Sequence, residues 1–345
     1  MKIHNDFIGG NICVKSIEGN MITLENELRD SNEWFYWAFC VEGAEGEELT
    51  FRMQKNRVGY WGPAVSHDLK EWHWLGSHDG DRFTYRFGSD EKKVYFAHDM
   101  LYHPERFFEF LDEYGIKSDE LCKSRKGRSV PYLSFGKGEK SIILTARHHA
   151  CESTGSYVLE GVLRALIEAP IPNTSVFCVP FVDYDGVIDG DQGKGRNPHD
   201  HNRDYTDAPI YPEVAEIIKY AVLNGCHLGF DFHSPWHKGG ENDNIFIVRK
   251  MIEKNDRFDR FADALQEELA AFSIRYSKEN DHPPMTGWNQ EPSPSFSYTM
   301  ICRDECDLSF GIETPYFGTE NNKISIDMLI RLGRGFAKAI KSYWR

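Results

Sequence analysis

The sequence predicts an α/β protein in two parts, an N-terminal β-sandwich followed by a larger α/β domain on a mixed sheet. Three observations carry that expectation. At 345 residues the chain is long for one core, and the scaling of core size with length favours two domains. Residues 10 to about 103 are cut by Gly, Asn and Asp turns into short runs. From about residue 130 strands alternate with amphipathic helices, the pattern of a sheet covered on both faces. The expected domains are residues 1–115 and 116–345.

Within the first part, Phe35, Trp37, Phe39 and Val41 alternate at period two, as a half-buried strand does, and 47–53, 83–87 and 94–97 are further strands. A short helix over 104–113 and a polar, basic segment from Lys117 to Arg128 separate this region from the next. Two apolar strands follow, Ser141–Arg147 and Val176–Val182. Between them a helix over 154–168 aligns Val158, Leu159, Val162, Leu163 and Leu166, with Ser153 or Thr154 as its cap and Pro170 as its stop. Later helices are expected at 212–223, 255–272 and 322–343, and strands at 227–232, 244–248 and 307–312.

Composition narrows the function. Hydrophobic residues make up 40% of the chain, enough for a packed core and against wholesale disorder. A net charge of -14 and a pI near 5.5 exclude a phosphate-neutralising surface, so no nucleic-acid partner is expected. The start, MKIHNDFIGGNICVK, has no apolar run of signal-peptide length and no stretch elsewhere is long enough to span a bilayer, so the expectation is a cytoplasmic protein with no membrane partner. The eight cysteines include no CxxC pair and read mostly as buried reduced thiols; Cys302 and Cys306 lack the second Cys/His pair that a structural zinc site needs.

His149-Ala-Cys-Glu152 sits where the 141–147 strand ends and a helix begins, the edge at which open α/β sheets place ligands. A His and a carboxylate three residues apart on a tight turn can point at one ion, and that pair suits zinc. Alone it is better explained as a surface His beside a Glu favoured by the helix dipole. A third ligand comes from Leu228-Gly-Phe-Asp-Phe-His233, an apolar strand that delivers an imidazole to the same edge. Three protein ligands leave the fourth position for water, as a catalytic zinc requires. In Asp200-His-Asn202-Arg203, the guanidinium can grip a carboxylate through two parallel hydrogen bonds with Asn202 as a further donor, although alone it reads as a surface ion-pair partner. Ser309-Phe-Gly-Ile-Glu313 ends another apolar strand in a carboxylate, which suits a general base facing a cleft.

Taken together, TARHHACESTGS (145–156), VDYDGVIDG (182–190), DHNRDY (200–205), DFHSPW (231–236) and FGIETPY (310–316) make the chain resemble the M14 zinc carboxypeptidases. With a β-sandwich in front, it is most similar to their cytosolic branch, over nearly its whole length. The resemblance implies a zinc carboxypeptidase-like catalytic domain with one Zn2+ per chain on His149, Glu152 and His233, and with Glu313 as catalytic base. It also implies that Asn202 and Arg203 hold the substrate's terminal carboxylate and that Asp200 orients a metal-bound His. The implied reaction is hydrolysis of a C-terminal peptide or isopeptide bond, with a peptide or protein C-terminus as the partner.

The chain departs from the family pattern in places. The usual His-Pro-Gly-Glu is His149-Ala-Cys-Glu152, where Cys151 reads as a packed neighbour rather than an extra ligand, and Asn-Pro-Asp-Gly is Asp183-Tyr-Asp185-Gly. Counting back without gaps from Asn202 puts Gly193 where cytosolic relatives carry an Arg that polarises the scissile carbonyl. Lys194 or Arg196 must then take that role, and Arg196 is the expected choice. The family's mobile-loop Tyr is matched by Tyr298 in SFSYTM, which reads equally as a packed aromatic. His148, one residue before the ligand on the same strand, is expected to face away. His148, His199, His201 and His237 are expected non-ligands, with His201 and His237 able to line the cleft.

Two other functions fit parts of this pattern. A deacylase of N-acyl amino acids, aspartoacylase-like, shares the His, Glu, His set, although the front domain and DHNRDY favour peptides; a murein peptide is a further substrate class. A non-catalytic binding protein on the same fold would use Trp34, Trp37, Trp61, Trp72 and Trp74, yet such aromatics more often belong to a core and all four essential positions are filled. For the C-terminal side chain, Arg303 favours an acidic group while Asp304, Glu305 and Asp307 favour the reverse.

Overall fold

The computed structural model describes residues 1–29, 35–53, 57–240, 243–251 and 256–344. Residues up to 97 form two facing sheets. One is five-stranded, in the order Lys2–His4, Ala38–Glu42, Lys93–Ala97, Ala64–Ser66 and His73–Trp74; the other is four-stranded, in the order Cys13–Glu18, Met21–Glu25, Glu48–Met53 and Arg82–Arg86. Trp37, Phe39 and Val41 point between the sheets and pack with Ile22, Leu24, Phe51 and Phe83. Tyr36, Ala38 and Cys40 point the other way, into the core shared with the second half of the chain. This segment is therefore buried on both faces rather than half-buried, because the outer face of the sheet is covered by the rest of the protein. Helix Pro104–Glu113 adds Phe107, Phe110 and Leu111 to the same shared core.

A seven-stranded mixed sheet carries the rest, in the order Asp119–Lys123, Ser129–Lys137, Thr174–Val179, Lys140–Ala146, Leu228–His233, Leu308–Glu313, Phe246–Val248. Its four middle strands are parallel, and apart from Lys140 and Ser175 they are buried, because helices cover both faces. Helices Ser153–Glu168, Asp256–Ala270 and Ile326–Tyr343 pack on one face with Ile142 and Leu144, while Pro212–Asn224 and Phe296–Ile301 pack on the other with Ile143 and Val179. From the Lys140–Ala146 strand the chain moves first to one neighbour and later to the other, so its C-terminal end lies at the switch point where such sheets bind ligands.

Most predicted elements appear within a residue or two of their expected ends. The segment expected to be a polar separator instead contains the Asp119–Lys123 strand, paired antiparallel with Ser129–Lys137. As an edge strand it keeps polar side chains toward water and lacks an apolar signal. The final helix starts at Ile326, where the Ser325 side chain accepts from Met328 N; the residues expected before it, Asn322 and Lys323, pair with Gly318 and Thr319. Short helices at Tyr184–Asp189 and Phe296–Ile301 were not expected, being too brief to show a 3.6-residue period.

Candidate active site

Three parallel strands end side by side at one edge of this sheet, and each brings part of the site. The Lys140–Ala146 strand stops because Arg147 is left-handed, with φ 61°. Its buried guanidinium holds that turn by donating to Tyr102 O at 3.1 Å and Ala150 O, the latter from Nε at 2.8 Å. Past the turn strand alternation no longer applies, so both imidazoles lean toward His233, His148 with ring centroids at 6.0 Å and His149 at 5.2 Å. His148 therefore does not face away as expected.

Glu152 occupies the N-cap position of the Ser153–Glu168 helix without making a side-chain cap bond, so neither Ser153 nor Thr154 is the cap. The Glu152 carboxylate is used elsewhere: Oε1 lies 3.0 Å from His149 Nδ1 and Oε2 lies 2.7 Å from His233 Nδ1. Thr154 instead ties strand ends together through Ser234 Oγ and, at 2.9 Å, Thr314 O. One donor atom from each of His149, Glu152 and His233 lies within 4.8 Å of the others. The remote ring nitrogens face carboxylates, His149 Nε2 at 3.7 Å from Asp200 Oδ1 and His233 Nε2 at 2.5 Å from Asp231 Oδ2. Two imidazoles presenting Nδ1, each backed by an acid, together with one carboxylate, are a donor set that fits zinc.

Glu313 ends the Leu308–Glu313 strand directly beside His233 in register. It is 8% exposed, its Oε2 has no hydrogen-bond partner, and burial, reinforced by Glu152, pushes its carboxyl above the usual range. Lys194 Nζ lies 2.6 Å from Glu152 Oε1 and donates to Ser234 O at 3.3 Å. Burial opposes ionisation of Glu152, but Lys194, His149 and His233 outweigh it and hold the carboxyl well below its ordinary value. Asn202 and Arg203 lie on the short helical turn His201–Arg203; Asn202 Oδ1 accepts from Phe296 N at 3.1 Å, and Arg203 lines the cleft while donating to Asn202 O at 2.9 Å.

Arg196 is not at the cleft. Its Nη2 lies 2.7 Å from Asp183 Oδ2 and 3.2 Å from Asp191 Oδ2, so two buried acids draw the guanidinium away. At Gly193, φ is +79° and an added Cβ would meet Ala150 N at 2.2 Å, so no side chain can reach in from there; the next residue, Lys194, places a cation on the wall. Tyr298 is also outside the cleft lining, since its helix carries the phenol to Cys302, one turn on, a contact that raises its pKa. Neither His201 nor His237 lines the cleft: they stack on Tyr211 and Phe35, with centroids at 3.7 and 4.5 Å. His199 pairs with Asp204 at 2.7 Å.

Cys151 is packed, accepting from Gln192 Nε2 at 2.9 Å, and burial pushes its thiol up to about 12. Cys302 and Cys306 belong to none of the metal-ligating clusters among the described residues. Of the sandwich tryptophans, Trp37, Trp72 and Trp74 are buried and Trp61 is partly so, with its Nε1 donating to Phe317 O; Trp34 lies outside the described residues.

The cleft encloses about 470 Å3 and is lined by residues that sequence reasoning missed. Phe246, Val248 and Lys250 follow one another at period two along one wall, a spacing that was available in the sequence. Lys250 Nζ lies 2.9 Å from Asn289 Oδ1 and 3.9 Å from Glu291, and burial lowers its pKa to about 8. Trp236 and Trp288, 64% and 56% exposed, stand at the mouth.

No family model matches the chain. An uncharacterized protein of Zymomonas mobilis subsp. mobilis is 27% identical over 318 residues, 82% of this chain and 81% of its own. Cytosolic carboxypeptidase 6 of Mus musculus is 23% identical over 76% of this chain, which spans about half (54%) of that relative's length. Among solved structures, a metallo-carboxypeptidase from Pseudomonas aeruginosa in complex with (2-guanidinoethylmercapto)succinic acid superposes with a TM-score of 0.80 at 21% identity, covering 99% of this chain and 100% of its own. A metallo-carboxypeptidase from Burkholderia cenocepacia gives 0.80 at 20% identity, over 99% and 98%. No described helix is long and apolar enough to cross a membrane. The chain has the metallo-carboxypeptidase fold, and its sequence resembles the cytosolic carboxypeptidases.

Proposed function

We propose that this chain is a zinc-dependent carboxypeptidase that removes a residue from a peptide C-terminus. The observation that carries the reading is the convergence of His149, Glu152 and His233 beside the buried, unpartnered carboxylate of Glu313 in one cleft. Zinc on those three residues would supply Lewis acidity to a water and to the scissile carbonyl. Glu313, its pKa raised by burial, would serve as the base that accepts the attacking water's proton as its oxygen bonds to the carbonyl carbon, and would pass that proton to the leaving amine as the C–N bond breaks. Lys194 supplies positive charge for the developing oxyanion, in the role first expected of Arg196. Arg203 and Asn202 hold the terminal carboxylate, so the bond one residue inward is the one cut. Lys250, which also lines the cleft and lies close enough to feel Arg203 and Glu313, favours an acidic C-terminal side chain.

A substrate panel tests this. Peptides ending in Glu should release free glutamate faster than those ending in Leu or Lys, and N-acyl amino acids should turn over poorly. Glu313→Gln should keep its zinc while kcat falls by about 10²- to 10⁴-fold. Faster turnover of N-acetyl amino acids than of peptides would favour the deacylase reading, and a fully active Glu313→Gln would remove the base assignment.

A further inference from the structure

Behind the cleft, a second group of metal-capable side chains shares His233: His148, Asp231 and His233, all buried. Its hydrogen bonds show that it is already complete without an ion. Asp231 Oδ2 lies 2.5 Å from His233 Nε2, while Asp231 Oδ1 accepts from Thr145 Oγ1 at 2.9 Å and pairs with His148 Nδ1 at 2.8 Å. The far nitrogen of His148, Nε2, meets the Tyr205 hydroxyl at 2.8 Å. Each imidazole thus has one nitrogen on the carboxylate. With His148 Nδ1–H donating to Asp231, Nε2 is left to accept the Tyr205 proton, so every group in the chain has a partner of the right kind.

The topology explains why these five residues meet. Thr145 and Asp231 are paired neighbours on adjacent parallel strands. His148 lies just past the Arg147 turn, and Asp231 and His233 are two apart on one strand, so they share a face. Tyr205 belongs to the DHNRDY segment that also supplies Asn202 and Arg203. One buried net therefore joins three of the segments that build the site.

We propose that Asp231, locked by His148 and Thr145, is the positioning residue for His233. By holding Nε2–H it leaves the Nδ1 lone pair facing Glu152, as metal binding needs, and fixes the ring plane. His148 acts one step further out, keeping the carboxylate from rotating. Asp200 faces His149 Nε2 in the same way but at 3.7 Å, so His233 is the more tightly held of the two imidazoles. The inference rests on the metal site of the proposed function.

The test is zinc affinity of the full-length chain, measured by competition with a chromophoric chelator, alongside the thermal midpoint of the metal-free protein. Asp231→Asn should bind zinc about 10- to 100-fold more weakly than the wild type. His148→Phe, which keeps a ring but loses the donor, should weaken binding in the same direction by a smaller factor, and His148→Gln, which can still donate, should recover most of it. Thr145→Val provides a further, milder loss should Asp231→Asn fail to fold. Variants with a lower metal-free midpoint but wild-type zinc affinity would overturn the proposal and leave a purely structural net. Equal zinc affinity in the wild type and His233→Ala would instead remove the metal site itself.

Discussion

Lys194 and Arg196 show how far one side chain's surroundings decide its role. Both are cations two residues apart on the same loop, yet Arg196 is neutralised by Asp183 and Asp191 while Lys194 reaches Glu152 and the cleft. Lys194→Met should therefore lower kcat by about 10²-fold or more with a smaller change in KM, as expected for charge needed mainly in the transition state. Arg196→Met should chiefly lower stability. A kinetic comparison of the two variants reads this directly, and a larger kcat loss in Arg196→Met would reverse the assignment. That His149, Glu152, His233, Asn202, Arg203 and Glu313 share one cleft was legible because each closes a distinctive segment at a strand end or turn. Lys194 was not separable from Arg196, since sequence spacing does not say which cation meets a buried acid. Asp231 was hidden inside an apolar strand, where a single carboxylate gives no hint of the two imidazoles that surround it.

At the level of elements, the site's precision comes from strands whose ends are fixed by helix packing on the opposite side. Phe336, on the Ile326–Tyr343 helix, meets Phe230, Phe232 and Phe261 with ring centroids at 5.1, 5.3 and 5.2 Å, and so presses on the strand that ends in His233. Phe336→Ala should lower stability by about 3–5 kcal/mol, measured by urea unfolding, with reduced zinc affinity as a secondary effect. A loss below about 1 kcal/mol would mean that this contact does not brace the strand. That helix also crosses Ser153–Glu168 closely enough that a Cβ on Gly333 would meet Val158 O at 2.0 Å. The long helices were readable from periodicity and the buried parallel strands from their apolar runs. The edge strand at Asp119–Lys123 and the short helix at Phe296–Ile301 were not, because neither presents a continuous apolar stripe. Tyr298 was a candidate only through the resemblance, and the structure keeps it on this helix, outside the cleft lining.

Across the whole molecule, the two β-sandwich sheets and the seven-stranded sheet meet through aromatic residues and neutral histidines. His237 stacks on Phe35 and lies 4.7 Å from the Phe317 ring, and burial lowers both His237 and His103 to about 3. Their folded pKa values lie below the unfolded value of about 6.5. The stability they contribute is thus complete above that pH and is lost as pH falls toward 3, by up to about 1.4 kcal/mol per pH unit for each histidine. Urea midpoints between pH 7.5 and 5 should fall less steeply for His237→Phe than for the wild type; parallel curves would contradict this. The central claim concerns the metal and the bond it helps to cut, and elemental analysis of the wild type and His233→Ala, paired with release of amino acids from a mixed peptide library, tests it most directly. The account predicts one zinc per wild-type chain, little in the variant, and free C-terminal residues released only by the former. A wild-type protein that takes up no zinc, or a zinc-loaded one that releases no amino acid from any peptide, would contradict it.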